Sequence, residues 1–278
     1  KSQDDVWVQP AAGDDGGAVG AALWAWHQVL EEPRDVDAGS DAMAGCFLGP
    51  RFDRQEVVEW LDGNEVPFEQ FPNAEELWER VASALVAGAV VGWFRGRMEF
   101  GPRALGHRSI LADPRDATMV RRLTERVKQR EGFRPFAPAV LAEYAAEWFG
   151  STVASPYMMF TAPVVSHEPP DPGGVEGRGA PAPSFGDRLE EQRSAIPACT
   201  HVDGSARVQT VSAESDPDFH GLLVAFRELT ILQKCQNRIY IPFCNLSRMA
   251  SSGFPELGAT SARPKPPPGP PYIKRLSI

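Results

Sequence analysis

The sequence predicts an α/β (α+β) fold, and three segments carry this prediction. Residues 73–87 repeat apolar side chains at helical spacing, and the continuous apolar run at 89–94 is typical of a buried strand. Residues 199–211 contain two strand-like stretches around an Asp-Gly turn, a pattern that predicts a hairpin. Residues 216–229 open with an Asp-Pro pair, which suits the first turn of a helix.

The other elements follow from the same patterns in chain order. Alternating residues at 5–9 predict a short strand, and small apolar residues predict a helix over 18–30. Further helices are predicted over 54–61, 117–129 and 143–149, and further strands at 46–49 and 157–165. The chain therefore holds enough regular structure for one large or two smaller domains.

The composition is that of a soluble globular protein. Hydrophobic residues make up 42% of the 278 residues, and no apolar run reaches the roughly 18 residues of a membrane span. The four cysteines lie far apart without CxxC spacing, which argues against a disulfide framework and a zinc knuckle. We therefore expect a cytoplasmic protein with no membrane partner. Because the first residue is lysine rather than methionine, we also expect the chain to be a fragment.

Charge is distributed unevenly along the chain. The net charge is −9, yet residues 95–134 contain eleven lysines and arginines against five acidic residues, which leaves −15 for the rest. An acidic protein with one basic segment is suited to drawing a small anion into a site rather than to coating a nucleic acid. For Arg121, Arg122 and Arg126, which fall at helical spacing, an exposed helix face is the competing interpretation.

The basic segment begins with a glycine-rich loop at residues 96–109. It places Arg103 and Arg108 in a turn punctuated by glycine and proline, and it ends at Ser109. Glycine lets the backbone approach a ligand closely, and the planar fork of arginine matches oxyanions. The loop therefore predicts a site for phosphate or carboxylate.

A second basic cluster follows at residues 128–138, where Lys128 and Arg134 lie close to glycine and proline. One phosphate needs one or two arginines, whereas two phosphorylated substrates need more cations. The two clusters together predict a pocket for a polyanion. The Gly-x-x-x-x-Gly-Lys-Ser/Thr and Gly-x-Ser-x-Gly signatures are both absent from the sequence.

Two further positions could take part in chemistry. His201 and Asp203 lie two residues apart, which places both side chains on one face of a strand, where they could orient a substrate or transfer a proton. A histidine that is simply packed in a strand is the competing interpretation. Asp14, in the glycine-rich turn near the start, could ligate a metal, but the sequence has no His-x-x-x-His pair to complete a site.

Four motifs in a fixed order resemble those of a known family. They are residues 9–17 (QPAAGDDGG), 96–115 (GRMEFGPRALGHRSILADPR), 127–138 (VKQREGFRPFAP) and 201–211 (HVDGSARVQTV). Together they are similar to the O-carbamoyltransferases of the nodulation and antibiotic-tailoring type. The resemblance covers about residues 5–230.

The resemblance implies a chain of two parts. Members of the family join an actin-like, metal-dependent domain to a C-terminal YrdC-like α/β domain with a mixed twisted sheet. In this chain, residues 1–72 would be the end of the first domain and residues 73–230 the second, with a mobile insertion rich in proline and glycine at 167–194. Residues 231–278 include a polyproline run and are expected to form a disordered tail.

The resemblance also implies an activity. The YrdC-like domain would form a carbamoyl adenylate from carbamoyl phosphate and ATP with Mg²⁺. The first domain, which holds Fe²⁺ or another divalent metal, would pass the carbamoyl group to a hydroxyl of a small-molecule or glycan acceptor. The motif positions assign substrate binding to Arg103, Arg108, Ser109, Lys128 and Arg134. They assign catalysis to His201 and Arg207 and metal binding to Asp14.

Two departures from the family leave alternatives open. The family's first domain is longer than residues 1–72, and after Thr230 this chain differs from the family's Asn-Thr-Ser-Phe-Asn stretch. A non-catalytic RNA-binding YrdC-like module and an inactive gene remnant are therefore competing interpretations. The sequence leaves the oligomeric state open, with a homodimer among the options.

Overall fold

The computed structural model describes residues 8–35, 41–125, 136–150, 154–165, 194–232, 241–245 and 276–277. These residues form a mixed α/β fold, which confirms the predicted fold class. Lys128, Arg134, nearly all of the insertion predicted at 167–194 and most of the tail predicted at 231–278 lie outside the described residues. The division into an actin-like and a YrdC-like part stays a prediction.

The described residues contain six α-helices: α1 Asp14–Trp24, α2 Arg54–Gly63, α3 Ala74–Val86, α4 Met119–Leu123, α5 Ala145–Phe149 and α6 Pro217–Leu232. A π-helical turn follows α1, and 3-10 turns lie at Ala44–Cys46, Ala142–Tyr144 and Pro197–Cys199. At the start of α2, the Asp53 side chain accepts the N–H of Glu56, whose carboxylate accepts the N–H of Asp53 in return. None of the helices in these ranges is both long and apolar enough to cross a membrane.

The strands are β1 Phe68–Glu69, β2 Val91–Phe94, β3 Arg108–Leu111, β4 Ala137–Leu141, β5 Thr161–Pro163, β6 Ser205–Arg207, β7 Gln209–Val211, β8 Ile241–Asn245 and β9 Leu276–Ser277. The main sheet has the order β2-β3-β8-β4-β7, in which β4 and β7 are parallel and the other pairs are antiparallel. Two small sheets pair β5 with β6 and β1 with β9.

The structure confirms the helices with strong patterns. Those predicted over 54–61, 73–87, 143–149 and 216–229 form close to their predicted bounds. The helix predicted over 18–30 starts earlier, at Asp14, where glycine-rich sequence continues directly into the first turn. The strand β8 lies within the tail predicted to be disordered, and it occupies the middle of the main sheet. The last residues of α6 and the strands Ile241–Asn245 and Leu276–Ser277 depart from the expected disorder, which stays a prediction for the rest of the tail.

The hairpin predicted over 199–211 is wrong. Its Asp-Gly turn does form, with Gly204 at a φ of 77° and its N–H donating to the carbonyl oxygen of His201. However, β6 pairs with β5, and β7 pairs with β4 in the main sheet. Only Val208 separates β6 from β7, so the chain crosses from one sheet to the other at this residue. The pairing partners come from distant segments, which a local pattern does not reveal.

The core lies where α3 and α6 pack against each other and against the main sheet. The apolar side chains buried there include Val81, Leu85, Leu111, Leu141, Val211, Phe219, Leu222 and Phe226. Gly221 is the point of closest approach, because a Cβ at this position would lie 2.4 Å from the Trp78 ring. A second cluster surrounds Trp148 and Phe149. The helix pair therefore depends on the absence of a side chain at Gly221.

We expect Gly221→Ala to destabilise the protein by about 1–3 kcal/mol, because the added methyl would force the packed Trp78 ring out of its place. The matched control is Gly17→Ala in α1, where an added Cβ meets nothing within 4 Å. Alanine favours a helix over glycine, so this control should leave stability unchanged or raise it by up to about 1 kcal/mol. Urea denaturation of the full chain measures both. Equal effects of the two variants would contradict the packing assigned to Gly221.

Candidate functional site

The loop between β2 and β3 forms the candidate site. The two strands pair up to Phe94 and Arg108, so residues 95–107 leave the end of the sheet as one excursion. Gly106, at a φ of 112°, brings the loop backbone against α6, because a Cβ there would lie 2.8 Å from the Phe219 ring. Both the left-handed backbone and the close approach require glycine at this position. The loop is thereby seated on the start of α6.

A buried carboxylate organises this loop from inside. Glu99 has a side chain with no exposed surface, and its Oε1 accepts the backbone N–H of Leu105 at 2.5 Å and that of His107 at 3.0 Å. Its Oε2 lies 3.1 Å from Nε of Arg108, which makes a buried ion pair. Arg108 also donates from Nη2 to the carbonyl oxygen of Gly101 at 2.6 Å. The Glu99 side chain therefore binds the backbone at Leu105 and at His107 and the guanidinium of Arg108.

These contacts show where two predicted substrate-binding residues lie. The Arg108 guanidinium is largely buried and is engaged by Glu99 and Gly101. Ser109 is completely buried in β3, and its Oγ accepts the N–H of Gly106 at 3.1 Å. Both side chains hold the loop together in this structure. Their contact with a substrate stays a prediction.

Arg103 differs from Arg108 in its partners. Its Nη1 donates to the carbonyl oxygen of Pro10 at 3.3 Å, and its Nε is buried with no hydrogen-bond acceptor among the described residues. No carboxylate in the described ranges forms an ion pair with it. A half-buried guanidinium that keeps its charge and a free donor is suited to an anionic ligand.

The first motif of the chain contacts this loop. Pro10 receives the bond from Arg103, and the adjacent Ala11 is completely buried. A Cβ on Gly101 would lie 3.1 Å from the Cβ of Ala11, so the two segments touch. The structure thus brings together the motifs at residues 9–17 and 96–115, which are far apart in the sequence.

Asp14 follows this contact at the first turn of α1, beside Asp15, and its side chain is exposed. Within the described ranges, no three His, Cys, Asp or Glu side chains come together in a way that could hold a metal ion. The described donors around Asp14 therefore do not by themselves complete a site for the divalent metal that the resemblance implies. The assignment of Asp14 as a ligand stays a prediction.

His107, at the end of the loop, sits in a closed set of contacts. Its Nδ1 lies 2.6 Å from the carbonyl oxygen of Arg97, to which it donates because a carbonyl only accepts. Its Nε2 faces Nη1 of Arg95 at 3.3 Å and Oδ2 of Asp216 at 3.4 Å. The ring stacks on Phe47 with centroids 3.6 Å apart. His107 is therefore held on every side by protein groups.

Asp216 joins the loop to α6. Its Oδ1 accepts hydrogen bonds from Nη1 of Arg95 and from the backbone N–H of Phe219. The bond from Phe219 makes Asp216 the N-terminal cap of α6. Nη2 of Arg95 lies 2.6 Å from Oδ2 of Asp218. At 3.4 Å, Nε2 of His107 forms no hydrogen bond with Oδ2 of Asp216, so Arg95 is the closer partner. Burial raises the pKa of Asp216, but His107 and Arg95 more than offset this effect, and the pKa lies below the ordinary 3.8.

His201 and Arg207 lie in a different place from the loop. His201 and Asp203 lie in the exposed turn before β6 rather than on one face of a strand as predicted, and Nδ1 of His201 is 3.1 Å from Oδ1 of Asp203. Hydrogen bonds from Ser205 lower the pKa of Asp203 to about 2. Arg207 is exposed on β6, in the small sheet with β5. Neither residue is part of the loop of residues 95–107, and their catalytic roles stay predictions.

Gln209 connects the fourth motif to the loop, and the sequence analysis missed it. Its side chain is buried in β7, and its Nε2 donates to the carbonyl oxygen of Leu105 at 2.8 Å. Its Oε1 is buried and has no donor among the described residues. The only signal was its place between Val208 and Thr210 in a stretch predicted to be a strand. Glu99, Arg95 and Asp216 were missed as well, because residue type alone does not reveal a partner.

A concavity of the described structure lies away from this loop. It has a volume of about 530 Å³ and follows α1, with Leu23, Trp24, His27 and Arg34 among its lining residues. None of its lining residues belongs to the loop or carries the polar contacts described above. We therefore take the loop, which concentrates the buried polar groups, as the candidate site.

A family model matches more than half of the chain. The model is described as the carbamoyltransferase C-terminus, and it matches residues 82–238. This range contains the whole loop, His201, Arg207 and Gln209. The similarity therefore includes the described site except for the contacts from Pro10, Ala11 and Phe47.

Three relatives show the range of similar proteins. An uncharacterised protein of Synechocystis sp. is 47% identical over 81% of this chain and 36% of its own length. The nodulation protein NolNO of Sinorhizobium fredii is 39% identical over 81% of this chain and 29% of its own length. The 3'-hydroxymethylcephem-O-carbamoyltransferase of Amycolatopsis lactamdurans is 33% identical over 80% of this chain and 34% of its own length. The chain thus spans about a third of the length of these relatives.

We expect Asp216→Asn to destabilise the protein by about 2 kcal/mol at pH 7, because it removes the buried charge that pairs with Arg95. A carboxyl with a lowered pKa in the folded state stabilises the protein above its unfolded pKa, and this contribution is lost as the pH falls through the folded value. The difference between wild type and variant should therefore shrink below about pH 4. Urea denaturation between pH 7 and pH 3 measures it, and parallel stability curves would contradict the network.

Proposed function

Because the chain belongs to the carbamoyltransferase C-terminus family, we propose that it is the C-terminal part of an O-carbamoyltransferase. Relatives named nodulation protein and 3'-hydroxymethylcephem-O-carbamoyltransferase support this proposal. In it, the loop of residues 95–107 binds carbamoyl phosphate, and ATP is the second substrate, bound with Mg²⁺. The single observation that carries the proposal is Arg103, a guanidinium with an unused buried donor inside a matched motif.

Each loop residue has a distinct part in this proposal. Arg103 binds an oxyanion of the phosphate, because its guanidinium has no carboxylate partner in the described residues and its buried Nε has no acceptor there. Arg108 and Ser109 hold the backbone around it in shape. We keep Lys128 and Arg134 as further phosphate ligands by their motif positions. Several cations are needed because two phosphorylated substrates would otherwise repel each other.

The proposed chemistry of this part is the formation of a carbamoyl adenylate. Water cleaves carbamoyl phosphate to carbamate and inorganic phosphate. A carbamate oxygen then attacks the α-phosphorus of ATP, and pyrophosphate leaves as the bond between the α- and β-phosphates breaks. The cations stabilise the negative charge that develops on the leaving phosphates. His201 and Arg207 stay proposed as catalytic residues on the strength of their motif alone.

The transfer to an acceptor hydroxyl belongs to the whole protein. The name of one relative indicates a hydroxymethyl acceptor for that enzyme, and we propose a hydroxyl acceptor of a small molecule or glycan here. No step is assigned to Fe²⁺ or another metal at Asp14, since the described donors do not make up its site. We propose a cytoplasmic location, as expected for an enzyme that uses ATP.

The ion pairs in the basic segment do not favour the RNA-binding alternative. Arg95, Arg108 and Arg115 each pair with a carboxylate, to Asp216, Glu99 and Asp113 respectively. Binding to a nucleic acid depends on lysines and arginines that can neutralise its phosphates. The pairs lower the effective positive charge of the segment, which leaves it better suited to a small anion than to an extended polyanion.

Pyrophosphate release tests the activity. The full chain is incubated with Mg²⁺, ATP and carbamoyl phosphate, and pyrophosphate is measured with an enzyme-coupled assay. We expect release that depends on both substrates and stops when carbamoyl phosphate is left out. A cooperatively folded sample that neither binds carbamoyl phosphate nor releases pyrophosphate would overturn the proposed function.

Arg103→Ala should weaken carbamoyl phosphate binding at least tenfold, because it removes a charged donor from a partly buried site. Isothermal calorimetry of the full chain measures the affinity. The matched control is Arg80→Ala, which removes an exposed arginine from α3 and should leave the affinity unchanged. Retained affinity in Arg103→Ala would remove this residue from the proposed site.

A further inference from the structure

We propose that Gln209 recognises the amino group of the carbamoyl moiety and so selects carbamoyl phosphate over acyl phosphates of similar shape. The inference rests on the proposed function and adds a specificity residue to the same site. Nothing in the four motifs singled out this glutamine. Its evidence is the geometry of one buried amide.

The orientation of this amide is determined by its neighbour. The carbonyl oxygen of Leu105 can only accept a hydrogen bond, so the group 2.8 Å from it must be the –NH₂ of Gln209. The opposite end of the amide is therefore Oε1, an acceptor. Because Leu105 occupies the –NH₂ group, the part of the Gln209 amide left for a ligand is an acceptor rather than a donor.

The Oε1 atom lacks a donor. It is buried, Gln209 as a whole is 4% exposed, and no described residue donates to Oε1. A buried amide oxygen without a hydrogen bond is unfavourable by about 1–3 kcal/mol, so buried amides in proteins nearly always have partners. A ligand that brings an N–H donor to this atom would relieve the penalty. A ligand with a methyl group in the same place would keep it.

Carbamoyl phosphate has the donor that the site lacks. Its –NH₂ offers two N–H groups, whereas acetyl phosphate carries a methyl group at the same position and is otherwise closely similar in shape and charge. The loop already offers a complementary group for the other end of the molecule, because Arg103 lies two residues before Leu105 and keeps an unused donor. A buried acceptor for the amino end and a cation for the phosphate end match the two halves of this substrate.

The two phosphates should differ in affinity, because carbamoyl phosphate donates to Oε1 of Gln209 whereas acetyl phosphate leaves this atom without a hydrogen bond. Sites that hydrogen-bond a substrate N–H reject analogues without it, because the polar group of the protein is then left buried and unsatisfied. Arg103 binds the phosphate of either compound and does not distinguish them. Gln209 is therefore the residue of the described loop contacts that can separate a carbamoyl from an acetyl group.

Calorimetry with two ligands tests the inference on the full chain. Wild type should bind carbamoyl phosphate about tenfold more tightly than acetyl phosphate. Gln209→Met keeps the length of the side chain and removes both polar atoms. It should lower the affinity for carbamoyl phosphate about tenfold and change that for acetyl phosphate less than twofold, so that the preference disappears.

The acetyl phosphate titration separates recognition from loop support. If Gln209 only positions Leu105, Gln209→Met will weaken both ligands equally, and the inference is overturned. Equal affinities of wild type for the two ligands overturn it without any variant, while carbamoyl phosphate still binds as the proposed function requires. No binding of carbamoyl phosphate to wild type would instead count against the proposed function itself. Gln55→Met, on the exposed face of α2, is the matched control and should bind both ligands as wild type does.

Discussion

The carboxylate of Glu99 is the interaction on which the candidate site depends. It is removed from water inside the loop, where two backbone N–H groups and the Arg108 guanidinium surround it. A buried carboxylate is strongly unfavourable without such partners, so the loop is stable only when all of them converge. This constraint places Leu105 and its carbonyl oxygen in one position. The same carboxylate neutralises the positive charge of Arg108 within the protein.

A second set of charged residues connects the loop to the core. Arg95 spans Asp216 and Asp218 at the start of α6, and Asp216 caps the helix that packs on α3 and the main sheet. Gly106 presses the loop on the Phe219 ring at the same place. The loop is thus anchored by charge and by close packing to a helix of the core. Rigid support of this kind is what a binding loop needs to hold its ligands in place.

Much of the local structure could be predicted from the sequence, whereas the pairing of distant segments could not. Helical spacing and caps act within a few residues, which is why α2, α3 and α6 were found. The position of β8 and the separation of β6 from β7 depend on partners far along the chain. The same limit applies to the site. The motifs predicted the loop and both Arg103 and Arg108 as ligands of an anion, but only the structure shows that Glu99 already pairs with Arg108.

The arginines of the basic segment therefore divide by what surrounds them rather than by their position in a motif. Arg95 and Arg108 stabilise the scaffold, because carboxylates already neutralise them, and an anion would have to displace those partners. Arg103 keeps its charge in the loop, and Gln209, which donates to the carbonyl oxygen of Leu105, keeps an unused acceptor. A cation and an acceptor left unsatisfied in an otherwise paired loop describe a ligand that is anionic at one end and an N–H donor at the other.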